Sequence, residues 1–179
     1  MSVTSGPAGP CAPHPELARL LVTSVWMLRS RTRRRIFTSS AAVHLLTRDG
    51  EPTDESSGDL LAEAANASLD HALRVDLAVR SLENLVLARQ PPGAAVRESP
   101  TARARATMIV VRPGPLESLE QDRAWWRSWL VASDIVGVEP APVYAVTRLG
   151  WLDVIGTETV VVPRLRGSAS SRGVRQPGR

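Results

Sequence analysis

The sequence predicts a mainly α protein of the α+β class: a helical bundle around one long helix, about residues 59–89, with a small C-terminal β element. Three observations carry that expectation. Apolar residues recur at helical spacing from Leu61 to Val86. Aromatic residues are only 4% of the chain, so the core must be built mostly from Leu, Val and Ala, which suit helices. Runs of β-branched residues gather after residue 106.

Residues 1–13 read as a disordered Pro/Gly-rich leader. They lack the charged and apolar regions of a secretory signal. A helical region, 14–90, follows. Its first helix opens near Pro15, with Glu16 at the positive helix end. The apolar stripe is Leu17, Leu20, Leu21, Val25 and Leu28, widened by Trp26 and Met27. Arg29, Arg31, Arg33, Arg34 and Arg35 then suit the negative end. A short second helix is expected over 39–48, capped by Ser39 or Ser40, burying Ala42, Val43, Leu45 and Leu46, and ended by Asp49-Gly50. The long helix carries Asp70/Arg74 and Asp76/Arg80 as i,i+4 pairs worth about 0.3 kcal/mol each. At roughly 30 residues it would measure about 45 Å.

Residues 91–106 form a Pro/Ala/Arg linker. An α/β region, 107–163, is expected to pack on the helices. In it, 107–111 reads as a strand broken by Pro113-Gly114-Pro115, and 116–136 as a helix closed by Gly137. The runs 143–147 and 157–162, flanking 150–156, would complete a small sheet. The Gly/Ser/Arg-rich tail, 164–179, reads as disordered.

All 22 basic residues are Arg. A GC-rich coding sequence, as in a high-GC bacterium, explains this most simply. Every cation is nonetheless a planar fork able to grip phosphate or carboxylate. Net charge alternates by block: +5 over 1–50, −5 over 51–90, +3 over 91–112, −4 over 113–163 and +5 over 164–179. Positive charge thus gathers at one helix end and in segments predicted to be loose. Arg29, Arg31, Arg33, Arg34 and Arg35 form one candidate anion-binding set, with Arg164, Arg166, Arg172 and Arg175 of the tail as its companion. The bland alternative is that the first cluster docks on the chain's own acidic segment 51–63.

A helix-turn-helix reader is disfavoured, because the expected second helix is mostly apolar and lacks polar side chains for base edges. Phosphate contact without base reading fits better. Trp125, Trp126 and Trp129 fall within five residues. Trp126 is expected inside with Leu119 and Leu130, leaving at least one of Trp125 and Trp129 exposed as a protein-contact surface. His14, His44 and His71 show no metal-ligand spacing, and no Walker loop, G-x-G-x-x-G or G-x-S-x-G is present. Arg112-Pro113-Gly114-Pro115 offers only a generic turn before a helix. No catalytic residue, metal or cofactor is therefore assigned. Cys11 stands alone in the leader, and the longest apolar run, 17–28, is too short to span a bilayer. A cytoplasmic location is expected.

The function these features favour is a non-enzymatic accessory or regulatory protein with a sequence-nonspecific nucleic-acid surface and a Trp-bearing protein-contact surface. A homo-oligomeric assembly protein that binds no nucleic acid, and a small enzyme with a fold-assembled site, are the alternatives.

Overall fold

A computed structural model describes residues 12–31, 39–53, 69–88 and 104–163. They form three helices and five strands in the order α1 (Pro15–Arg31), β1 (Ser40–Leu46), α2 (His71–Ala88), β2 (Arg105–Val111), α3 (Glu120–Val136), β3 (Glu139–Val146), β4 (Gly150–Asp153) and β5 (Thr159–Val161). The strands lie in one sheet in chain order. β2 and β3 are parallel, joined through α3, and every other neighbouring pair is antiparallel. The bundle expectation is thus corrected: the organising element is a mixed sheet with helices on both faces.

Alternation along the strands builds two cores. Val43, Met108, Val143 and Leu152 point to one face, which α2 and α3 cover with Ala78, Leu82, Trp125 and Trp129. Ile109, Tyr144, Val146 and Trp151 point to the other, which α1 covers with Leu17, Leu21 and Val25. The predicted stripe of the first helix is therefore the face that docks, and its start at Pro15 is as expected.

The second predicted helix is strand β1. Ala41, Val43 and Leu45 are buried with period two, which a seven-residue apolar run does not separate from a helical period. Asp49-Gly50 marks a hairpin turn. Gly50, at φ +89°, donates to the Thr47 carbonyl at 3.0 Å, and Leu46 then bridges to Pro52.

The long helix is also corrected. Over the described residues it is α2, 18 residues or about 27 Å long. Asp70 accepts from the Leu73 N–H at 2.8 Å, an N-cap that accounts for the start. Residues 59–68 of the prediction lie outside the described residues. Asp76 and Arg80 pair at 3.1 Å, both exposed. Asp70 caps instead of pairing, while the Arg74 guanidinium sits 5.8 Å from the Trp125 ring centroid.

The strand predicted at 107–111 is β2. The strands expected at 143–147 and 157–162 are β3 and β5. Between the latter two, 150–153 is strand β4. Gly150 of β4 faces the backbone of Val160 so closely that a Cβ would collide with its carbonyl. Gly150→Ala is therefore expected to cost about 1–3 kcal/mol, read as a lower urea midpoint at constant m. An unchanged midpoint would mean that β5 moves away freely.

Candidate polyanion-binding end of the sheet

Ser40, Val111, Val146 and Val161 lie at one end of the sheet, since Ser40 pairs with Val111, Val111 with Val146 and Gly150 with Val161. The C-terminus of α1 reaches this end. Arg29 Nε donates to the Arg148 carbonyl at 2.8 Å, while its Nη atoms donate to Val162 at 2.7 Å and Pro163 at 3.2 Å. The guanidinium also lies 5.0 Å from the centroid of the half-buried Trp26 ring. Arg29 is thus a clamp that ties α1 to the β3–β4 turn and to the chain beyond β5.

That clamp fixes where the basic segments attach. The chain leaves α1 at Arg31, two residues past the Arg29 that holds Pro163, where the tail begins, and it rejoins at Ser39 at the same end of the sheet but on its opposite edge, β1. Arg31 belongs to α1. Arg33, Arg34, Arg35, Arg164, Arg166, Arg172 and Arg175 lie outside the described residues, but the segments that carry them leave and enter the fold at this one end. Glu51, the first residue of the acidic block, sits at the other end. It lines a shallow hollow with Glu16, Arg19 and Thr23 of the first turns of α1. The seven residues of β1 separate the two ends by about 20 Å.

Immediately behind the basic end is a site whose composition was legible but whose pairing was not. Arg112 and Asp122 are both fully buried. Arg112 Nε donates to Asp122 Oδ1 at 2.8 Å and Nη2 to Oδ2 at 2.8 Å. The remaining N–H groups go to the carbonyls of Pro113, Pro115 and Glu117. Asp122 in turn accepts from the Leu119 N–H at 2.9 Å, closing the first turn of α3. The anion beside this turn is thus the chain's own carboxylate. The same network explains why α3 begins at Glu120 and not at residue 116.

The tryptophan expectation is inverted. Trp125 and Trp129 are core residues, and Trp126 is the half-buried one. Trp129 Nε1 donates to the Ala141 carbonyl at 3.3 Å. The reason is that α3 packs on the sheet and against α2 together, so its buried arc takes Trp125, Ser128, Trp129, Ala132 and Ser133. Leu130, expected inside with Trp126, is exposed, as are Val131 and Ile135.

His71 is exposed at the start of α2. The oxygen of Ser128 lies 3.0 Å from its Nδ1, while the hydroxyl donates to the Ala124 carbonyl at 3.0 Å. Ser128 is fully buried, so this contact ties α2 to α3. Among the described residues no group of three or more His, Cys, Asp or Glu is placed to hold a metal ion. Among them too, no helix is long and apolar enough to cross a membrane.

Comparison with protein-family models, curated proteins and solved structures finds no match for this chain.

One titration follows from the fold. His44 is half-buried on β1, and desolvation lowers its pKa below the ordinary value near 6.5. The unfolded chain therefore binds the extra proton first. The stability contribution of neutral His44 is present above about pH 6.5 and lost as pH falls towards the depressed folded value. The urea midpoint should drop between pH 7.5 and 5.5 by more in the wild type than in His44→Gln. Equal drops would remove His44 as the cause.

Proposed function

We propose that this chain is a non-enzymatic accessory or regulatory protein of the cytoplasm that holds nucleic acid, without reading its sequence, at the basic end of its sheet. The observation that supports this is the Arg29 clamp. It brings the attachment points of two Arg-rich segments, far apart in sequence, to one place and away from Glu51. Guanidinium groups on such segments contact phosphates and release counterions.

Fluorescence anisotropy with a labelled 20-mer between 50 and 200 mM salt tests the proposal. Log K should fall linearly with log salt, with a slope of about −0.9 per phosphate contact on duplex and −0.7 on single strands. Deleting 164–179, or changing Arg33, Arg34 and Arg35 to Gln, should each flatten that slope. Absent or salt-insensitive binding overturns the reading.

A second reading, a protein-assembly role, moves from the buried Trp125 and Trp129 to the exposed row Leu130, Val131 and Ile135 on α3, with Ile135 62% exposed. Light scattering checks it. An oligomer that Ile135→Asp dissociates would favour this reading, and a monomer in both proteins would remove it.

A further inference from the structure

Along a helix, residues seven places apart share a face, because seven residues make almost two full turns. Arg127 and Asp134 stand in that relation on the solvent side of α3, about 10.5 Å apart along its axis. The exposed Leu130 and Val131 lie midway between them, and the exposed Ile135 follows Asp134. The face that looks away from the core thus reads cation, apolar centre, anion. Adjoining exposed apolar residues rimmed by charge mark a contact surface, where a single exposed one does not.

Such an order is complementary to itself when reversed. Two copies of α3 laid antiparallel, about a two-fold axis midway between Leu130 and Val131, bring each Leu130 level with the partner's Val131. The same operation brings each Arg127 level with the partner's Asp134, once at either end. At an interaxial distance of about 8–10 Å, an Arg side chain reaches a carboxylate on the facing helix. Ile135 then covers the aliphatic stem of the partner's Arg127. The helix dipoles agree with this direction. The last turn of α3 has no basic residue of its own, so its negative end meets the cationic half of the second helix. A parallel pairing would set Arg127 against Arg127 and Asp134 against Asp134, and like-charge repulsion disfavours it.

Within one copy Arg127 pairs with Glu120 at 2.7 Å, and both side chains are exposed. Exposed pairs of this kind are weak. Arg123 also acts on Glu120, and with Arg127 it holds that carboxyl below its ordinary pKa. Arg127 can therefore turn to a second copy while Glu120 keeps a counter-charge.

We infer, resting on the assembly reading, that α3 is the contact of a two-fold antiparallel homodimer, with Leu130 and Val131 at its centre and two reciprocal Arg127–Asp134 ion pairs at its ends. One helix a side makes a small interface, so the dimer is a weak one with a dissociation constant in the micromolar range.

Sedimentation velocity of the full chain at roughly 5–500 µM, which brackets such a constant, is the test. Arg127→Glu and Asp134→Arg should each weaken the dimer by about tenfold or more, because each sets two like-charge pairs across the axis. Mixing the two variants should restore a dimer, since every contact in the mixed pair again joins opposite charges. Loss of fold cannot mimic that rescue. A chain that stays monomeric throughout overturns the inference together with the assembly reading. A dimer that Ile135→Asp dissociates but both charge reversals leave intact keeps the assembly reading and overturns the antiparallel pairing. Two weakened variants that stay monomeric when mixed overturn it as well.

Discussion

Replacing Arg112 with Ala is expected to lower the unfolding free energy by about 3–5 kcal/mol, because it strands the buried Asp122 carboxylate. Equilibrium urea unfolding reads this directly. The loss should be nearly independent of salt, since neither partner faces solvent. Arg112→Lys should recover little. A single ammonium lacks the planar fork that reaches Asp122 and three loop carbonyls together. Nor should the double change Arg112→Met, Asp122→Leu be neutral, as some buried-pair replacements are. It removes the charges but leaves the carbonyls of Pro113, Pro115 and Glu117 and the Leu119 N–H without partners. A wild-type midpoint for Arg112→Ala would show that water reaches this site freely.

Trp129→Ala should cost a comparable amount, about 3–5 kcal/mol, by opening a large void beneath α3. Trp129 is fully buried between α3 and the sheet, and its indole N–H also holds the Ala141 carbonyl on β3. Trp126→Ala, one residue along, should cost less because that ring is partly solvated. Thermal unfolding of the two variants side by side checks the ranking. Equal losses would contradict the assigned orientation of α3.

The legible parts of the fold were those where one period dominates. The stripe of α1 is unambiguous because Leu17, Leu21, Val25 and Leu28 keep helical spacing over three turns after Pro15. The runs rich in Val and Ile gave β2, β3 and β5. β1 was illegible because Ser40–Leu46 is short and contains no more than one β-branched residue, so only its pairing with β2 decides its state. Asp49-Gly50 carried the missing signal, since that dipeptide marks a hairpin as readily as a helix end. At the candidate site, the sequence marked which segments are basic. It held no record that Arg29 would bond to residues more than 130 positions away, because such a contact exists only once α1 crosses β3 and β4. The buried Arg112–Asp122 pair was missed for a related reason. Ten residues apart across a Pro-Gly-Pro loop, the two follow no helical or strand spacing.

The placement of α1 has a consequence for synthesis on the ribosome. α1 is the first described element to emerge, yet the residues its apolar stripe meets are Ile109, Tyr144, Val146, Trp151 and Val162. At bacterial or eukaryotic elongation speeds, on the order of 5–20 residues per second, the helix waits roughly ten seconds before its docking surface exists. Leu17, Leu21 and Val25 stay wet throughout that interval, and completion of the fold is governed by contacts between the two ends of the chain. A nascent chain arrested before β3 should therefore carry an amphipathic helix in search of a surface. That is the state in which a holding chaperone would engage it, and from which truncated products would aggregate.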